Sequence, residues 1–492
     1  MTPPTKNAVE RIELAPGFSV SRVMTGLWQM ADMERDGRTA DPHRAARAMI
    51  PYVTAGFTTF DMADHYGSAE IVAGQYGAEH GDEAPAELLT KWVPSPGAIT
   101  KRDVETAVDR ARTRLQTETI DLLQFHAWRY PDPSWLDCLF WLDELRQQGA
   151  IRHLGLTNVD AAHLRIVLTS GVPVVSNQVC FSLLDQRAAG GLAKLCAQYR
   201  VKLLAYGTVA GGFLTERWLG KPEPDWSKLA TWSEMKYGRF IRAAGGWDAF
   251  QGVLGVLARI ASRRAVSMAN VASRAILEHP AVAAVIIGAR LGVRSHLEDN
   301  RRLFEFALDP EDHDELGAAL ATLTAIPGDS GDEYRKAPFL TASGDLSHHV
   351  DAFPPPYPVH QMAGGRTTAL SGTMWEPLAG FCRATRTGDR ILISGTTATH
   401  RDRTIGGDDP AAQAHFIIDK IEGAVQALGG QLSDIVRTRI YVKRLDDWEP
   451  VARAHGERFH AILPANTLVR ADLVGNDYLV EIEAEAVVTK AP

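Results

Sequence analysis

The chain has 492 residues, 45% of them hydrophobic and 23% charged, and a net charge of −8. That apolar content excludes a chain that stays disordered, because burial can offset the entropy of ordering it. The acidic balance excludes a nucleic-acid partner held by a global basic field, but leaves room for a local basic pocket that takes a phosphate.

The first segment, MTPPTKNAVERIELAPGF, lacks the apolar stretch of a signal peptide, and no run of 18 apolar residues occurs anywhere. Cys138, Cys180, Cys196 and Cys382 include no C-x-x-C pair and sit in apolar stretches. Buried thiols in a cytoplasmic protein without a membrane partner are therefore expected. From residue 20 to 308, short β-type runs alternate with helical patterns. Strands are predicted over 20–26, 59–63, 88–93, 120–126, 151–157, 172–179, 201–206 and 282–287. Most are near-continuously apolar, as strands buried on both faces are. Helices are predicted over 103–115, 136–148, 161–169, 192–199 and 270–277. Eight β-then-α units predict an α/β fold, a (β/α)8 TIM barrel, with a doubly wound open sheet as the alternative. No G-x-G-x-x-G follows the first strand, which weakens that alternative.

The stretch 326–350 is rich in Gly, Asp, Ser and Pro, and Phe353-Pro-Pro-Pro-Tyr-Pro358 follows as a stiff spacer. At about 150 residues per domain the length allows two or three domains, and the pattern divides it into two. These are a barrel over 1–350 and, after a linker at 351–358, a smaller α+β domain over 359–492. Strands at 390–397 and 436–442, helices at 410–428 and 448–462, and an alternating strand at 478–489 are its predicted elements.

A barrel enzyme carries its chemistry at the C-terminal ends of its strands. There the sequence places Asp61 and then Tyr66 after strand two, Lys91 at strand three and His126 at strand four. Asn158 ends strand five, Gln178 strand six and Tyr206 strand seven. Each alone reads most simply as a cap, a strand end or packing. Together, converging on one mouth, they suit carbonyl reduction. A phenol beside an ammonium can give a proton to a nascent alkoxide, a carboxylate anchors the ammonium, and an imidazole edge polarises the carbonyl oxygen.

The motifs GLWQM, FDMADHYGSAE, LLTKW, DLLQFHAW, GLTN, SNQV and LLAYG make the chain resemble the aldo-keto reductase family over roughly residues 16–350. The resemblance implies Tyr66 as proton donor, Lys91 and Asp61 as its tuning partners and His126 as the group that orients the substrate. It implies that Asn158 and Gln178 meet the nicotinamide carboxamide and that the ring stacks on Tyr206, with Ser176 nearby. After strand eight, IIGARLGVRSHLEDN places Gly288, Arg290 and Arg294 before a helix start at 296–300. Arginines and a helix N-terminus favour an anion there, and the resemblance puts the adenosine end at this place with Asn300. NADPH is therefore expected over NADH. Trp218, Trp226, Trp232, Tyr237 and Trp247 in the insertion 207–267 either enclose the mouth or pack against the outer helices.

Residues 372–490, with FCRATRTGDRILISGTTATH and LVEIEAEAVV, resemble the Rid family, also called YjgF. That resemblance implies a small sheet on two helices, trimers with clefts between subunits, and in some members hydrolysis of enamines or imines. Gly395 and Glu483 match cleft positions. Asn466 stands where an arginine would clamp the substrate carboxylate, and Arg470 is four residues on. A neutral amide forfeits a charge-assisted pair worth about 1.5–3 kcal/mol. No metal site is expected. The expectation is an NADPH-dependent reductase of a small-molecule aldehyde or ketone, fused to a domain that binds a metabolite or drives homo-oligomerisation. The alternatives are an imine deaminase coupled to carbonyl reduction and a non-catalytic NADPH-sensing subunit.

Overall fold

The computed structural model describes residues 8–34, 39–95, 97, 99–341 and 353–489. Strands β1 (Arg11–Ala15) and β2 (Phe18–Ser21) form an antiparallel hairpin. The next eight strands close into a parallel barrel. They are β3 (Val23–Gly26), β4 (Thr59–Asp61), β5 (Glu87–Trp92), β6 (Ile120–His126), β7 (Ile151–Thr157), β8 (Val174–Cys180), β9 (Lys202–Tyr206) and β10 (Val282–Gly288). The ring closes with Gly288 opposite Gly26, so the open sheet is excluded. The predicted first strand, 20–26, divides between two elements. Pro16-Gly17 turns the chain with Gly17 at φ +72°, and Leu14, Phe18 and Val20 then join Met24, Leu89, Leu122 and Leu204 to fill the barrel floor. The helices between strands wrap the outside, as buried parallel sheets require.

Register aligns the tips. Gly26 faces Asp61, Lys91 faces Gln124, His126 faces Thr157, Thr157 faces Gln178, and Tyr206 faces Ile286. Polar residues at the ends of apolar strands therefore converge on one mouth, which is the reason the barrel carries a site there.

Of the proline-rich 351–358, residues 351 and 352 lie outside the described residues. A seven-stranded sheet follows, ordered β11-β12-β13-β14-β19-β17-β18. Its strands are β11 (Val359–Met362), β12 (Arg366–Ala369), β13 (Ala384–Thr387), β14 (Arg390–Thr397), β17 (Ile435–Val442), β18 (Ala465–Arg470) and β19 (Val480–Val487), with a small ribbon, β15 (Thr399–His400) and β16 (Arg403–Thr404), between β14 and β17. Ile391, Ile393, Ile440, Ile482 and Ala484 face the core under the helices Pro410–Ala427 and Trp448–Phe459. Among the described residues no helix covers the opposite face. Three cysteines are buried, whereas Cys382 is half-exposed.

The two domains meet through the helix Pro410–Ala427, which packs on the barrel helix Ala161–Thr169. Fourteen of its residues are buried, because one side covers the second sheet and the other the barrel. Ion pairs Arg165–Asp409 at 2.8 Å and Arg401–Asp137 at 3.0 Å rim this contact.

Candidate active site

Four barrel strands, β4, β5, β6 and β8, build the centre. The Lys91 ammonium donates to both Asp61 oxygens at 2.8 and 2.7 Å and to the Met62 carbonyl at 2.8 Å, with only 4% of the lysine side chain exposed. Gln124 and Gln178 add amide N–H donors to Asp61 Oδ1 at 3.1 and 2.7 Å. Burial pulls the Lys91 pKa below its usual value while Asp61 pulls it back up. Tyr66 closes the group: the Lys91 Nζ lies 5.1 Å from its ring centroid, and Trp28 packs edge-on at 4.9 Å.

His126 faces the same cavity. Its Nε2 is buried without a hydrogen-bond partner among the described residues. Burial, helped by the Arg335 charge, holds its pKa well below the histidine norm, so the ring is neutral and its free nitrogen edge is turned to the mouth. Buried polar atoms are rarely left orphaned, so this nitrogen is available to a water or a ligand atom in the cavity.

Asn158 sits at φ +58°, in the left-handed region where Asn is the residue besides Gly that settles readily. Its Oδ1 accepts from the Tyr206 hydroxyl at 2.8 Å. Burial raises the Tyr206 phenol well above its usual value, so it stays protonated and donates. Gly207 has φ +80°, and a Cβ there would lie 2.1 Å from the Tyr237 hydroxyl.

From the cavity a groove leads away past Gln29, Val209, Gly211, Ser233 and Gly288, which line both. Arg290, Arg294, His296 and Asn300 line its far end. Arg290 is held by Asp32 at 2.5 Å. The helix there is short, Leu297–Arg302, and carries Glu298 and Asp299 in its first turn. Asp299 accepts from Asn270 and Ser267 at 3.1 and 3.0 Å, so the anion-binding character of that end resides in the arginines. Gln29 Oε1, at the junction, is a second buried atom without a partner among the described residues. A dinucleotide fits this arrangement, with an aromatic and amide end at the mouth and a cationic end in the groove.

The insertion aromatics divide. Trp218, Trp226 and Trp247 gather on Phe213 with centroids 4.9, 6.1 and 6.3 Å away, which is packing. Trp232 and Tyr237 line the mouth, and Trp232 lies 5.7 Å from Trp28. Sequence reasoning missed Lys236 and Tyr334. The Lys236 ammonium donates to the Tyr334 hydroxyl at 2.6 Å, and the Tyr206 and Tyr334 hydroxyls lie 3.2 Å apart. Tyr334 comes from the Gly- and Asp-rich stretch read as leading to the linker. Only its isolated aromatic character, in EYR, marked it.

In the second domain the four cleft residues are not brought together within one chain. Gly395 and Glu483 belong to the open face: a Cβ on Gly395 would meet Glu481 Oε1 at 2.1 Å, and Glu483 pairs with Arg439 at 2.6 Å. Asn466 and Arg470 register with the buried Thr438 and Val442, on the helix-covered side of the edge strand β18. Asn466 donates to Thr438 Oγ1 at 2.9 Å. The pleat separates the pairs, because alternate residues face opposite sides. Glu481, not Glu483, is the carboxylate beside Gly395. The strand reads Glu-x-Glu-x-Glu, so alternation alone could not choose among them.

Residues 22–321 match the sequence profile of the aldo/keto reductase family, and residues 372–488 match the profile described as endoribonuclease L-PSP. Protein tas of Escherichia coli is 27% identical over 315 residues, covering 56% of this chain and 88% of that protein. The solved glycerol dehydrogenase of Gluconobacter oxydans is 20% identical, with TM-score 0.54, covering 66% of this chain and 98% of that one; it shares the fold. A Mycobacterium tuberculosis member of the YjgF/YER057c/UK114 family is 39% identical across 25% of this chain and 99% of its own, with TM-score 0.23.

Proposed function

The chain belongs to the aldo/keto reductase family, with an oxidoreductase barrel followed by a Rid-type domain, and from that premise we propose that it reduces an aldehyde or ketone with NADPH, Tyr66 giving the proton. The observation that carries this reading is the unpartnered His126 Nε2, buried in the cavity that Tyr66 and the Lys91–Asp61 pair also line. A carbonyl oxygen placed there takes one hydrogen bond from the Tyr66 hydroxyl and, with the single ring proton on Nε2, one from His126. Lys91 lies close enough to stabilise the phenolate left when the proton moves to the forming alkoxide. Asp61 keeps Lys91 charged and fixed, and is itself fixed by Gln124 and Gln178.

Bound NADPH would supply the hydride to the carbonyl carbon. The residues that would hold it are Asn158 and Gln178 for the carboxamide, Tyr206 for the ring, Gly288 at the junction, and Arg290, Arg294 and Asn300 at the phosphate-bearing end. Lining by two arginines favours the 2′-phosphate of NADPH over the bare ribose of NADH. The second domain would join copies of the chain through its open sheet face, where Leu392 and Val469 are exposed among charged neighbours.

The test is NADPH oxidation across a panel of aldehydes and ketones, with cofactor binding followed by fluorescence. Turnover of at least one carbonyl is expected. Tight NADPH binding with no turnover on any member would turn the reading to a sensing subunit, and no binding would overturn it.

A further inference from the structure

The barrel mouth and the second domain are joined by one continuous stack of buried groups. It starts at Arg335, whose guanidinium donates to the main-chain oxygen of Asn158 at 2.7 Å and twice to that of Ala127, at 3.0 and 2.6 Å. Those two carbonyls belong to the first residues past the tips of β7 and β6, so Arg335 pins the loops that carry Asn158 and His126. The Arg335 guanidinium lies 4.5 Å over the ring of Tyr130. The other face of that stack is His163, whose ring lies 3.3 Å from the Tyr130 ring and within 10° of parallel. His163 bridges two carboxylates, Asp160 of the barrel at 2.7 Å and Asp419 of the second domain at 3.1 Å. Asp419 is held in turn by Arg458 at 2.7 Å. All of these groups except the guanidiniums are nearly fully buried.

We propose that the second domain is a working part of the reductase site, with Asp419 acting as a positioning residue for Asn158 and the His126 loop through His163, Tyr130 and Arg335. The inference rests on the reading of the mouth as an NADPH-dependent site. Its physical basis is rigidity. Asn158 sits in the left-handed backbone region, which Asn can enter without a large penalty but which other backbone states compete with, so tethers on its main chain hold the geometry. Arg335 supplies that constraint. Its planar cation keeps its place because Tyr130 is clamped against an imidazole that is anchored at both nitrogens. The carboxylate at the far nitrogen is contributed by the second domain alone.

The approach between the domains is close enough to be specified by a glycine. A Cβ on Gly423 would lie 2.4 Å from the Pro131 carbonyl oxygen, next to Tyr130 across the boundary. Gly423→Ala therefore separates the helix from this loop without touching either end of the stack. Arg165, whose ion pair with Asp409 crosses the same interface away from the stack, serves as the control.

The experiment measures the NADPH dissociation constant by fluorescence, with KM and kcat for the best carbonyl, in full-length wild type, Asp419→Asn, Gly423→Ala and Arg165→Ala. The expected result is a dissociation constant raised about three- to tenfold in Asp419→Asn and Gly423→Ala, with Arg165→Ala within about twofold of wild type. The proposal is overturned if the first two variants match wild type, or if Arg165→Ala shifts as much as Asp419→Asn, which would make the effect general docking strain. If Asp419→Asn does not fold, Gly423→Ala decides alone. Failure of the NADPH reading shows separately, as wild type that does not bind the cofactor.

Discussion

Tyr66 and His126 border one cavity and have opposite dealings with the proton. Tyr66 must give one up, with Lys91 beside it to steady the resulting anion, so Tyr66→Phe is expected to lower kcat by about 10²–10⁴-fold while leaving NADPH affinity within about twofold. Carbonyl turnover measured with each protein checks this, and full activity in Tyr66→Phe would remove its role. His126 must keep its single proton. Burial depresses its pKa well below the ordinary value near 6.5, so the neutral form persists as pH falls through that value, and protonation awaits a more acid range. The profile of kcat/KM against pH is therefore expected to show no limb near 6.5 from this residue. A limb there that disappears in His126→Gln would contradict it. His126 was legible in the sequence because it ends an apolar run at a strand tip, whereas Tyr66, five residues past β4, was legible from its motif FDMADHYGSAE. Tyr334 and Lys236 were not, because neither lies on a barrel strand and a spacing rule relates neither to the tips.

At the level of elements, the strands and long helices followed from apolar runs and periodicity: β14 spans the predicted residues, and the helix Pro410–Ala427 differs from its expectation by one residue. The hairpin at the barrel floor was hidden because β2 and β3 are separated by Arg22 alone, with no turn residue between them, and only the Pro16-Gly17 turn separates the earlier strand from β2. The edge strands β11 and β18 were missed for a different reason: they are largely exposed, so they lack the apolar alternation that marks a half-buried strand, while β12 is only four residues long, with Thr368 and Ala369 buried. Where elements join, glycines carry the geometry. Gly207 links β9 to the excursion that returns as the helix Trp232–Ala243, and its positive φ together with the close Tyr237 hydroxyl leaves no room for a side chain. Gly207→Ala is expected to cost about 1–3 kcal/mol and to weaken NADPH binding, because Tyr237 and Lys236 must shift with their helix. A denaturant midpoint unchanged from wild type would show that the helix yields freely.

Across the whole molecule, the interdomain contact is built on charges that hold their forms over a limited pH range. Burial alone would strip His163 of its proton, but Asp160 and Asp419 outweigh it and raise the pKa above the ordinary value. Burial alone would likewise keep Asp419 protonated, yet Arg458 and His163 lower its pKa, and His163 does the same for Asp160. The raised histidine contributes stability that is fully present below about pH 6.5 and is lost as pH rises through its folded pKa. The depressed carboxylates contribute stability present above about pH 4 and lost as pH falls through theirs. The cross-domain link is thus strongest between those limits and fails first on the alkaline side. Arg458 keeps its charge there, so Asp419 stays paired within its own domain, while Asp160 loses its partner and keeps only the more distant pull of Arg335. Scanning calorimetry is expected to show one cooperative transition near pH 6 and two resolved transitions at alkaline pH, as the barrel and the second domain part company. His163→Asn, which leaves Asp160 without its cation, is expected to cost about 3 kcal/mol and to show two transitions at both pH values. A single transition throughout in wild type and variant would mean that apolar packing of the helix Pro410–Ala427 holds the domains together without the ionic bridge.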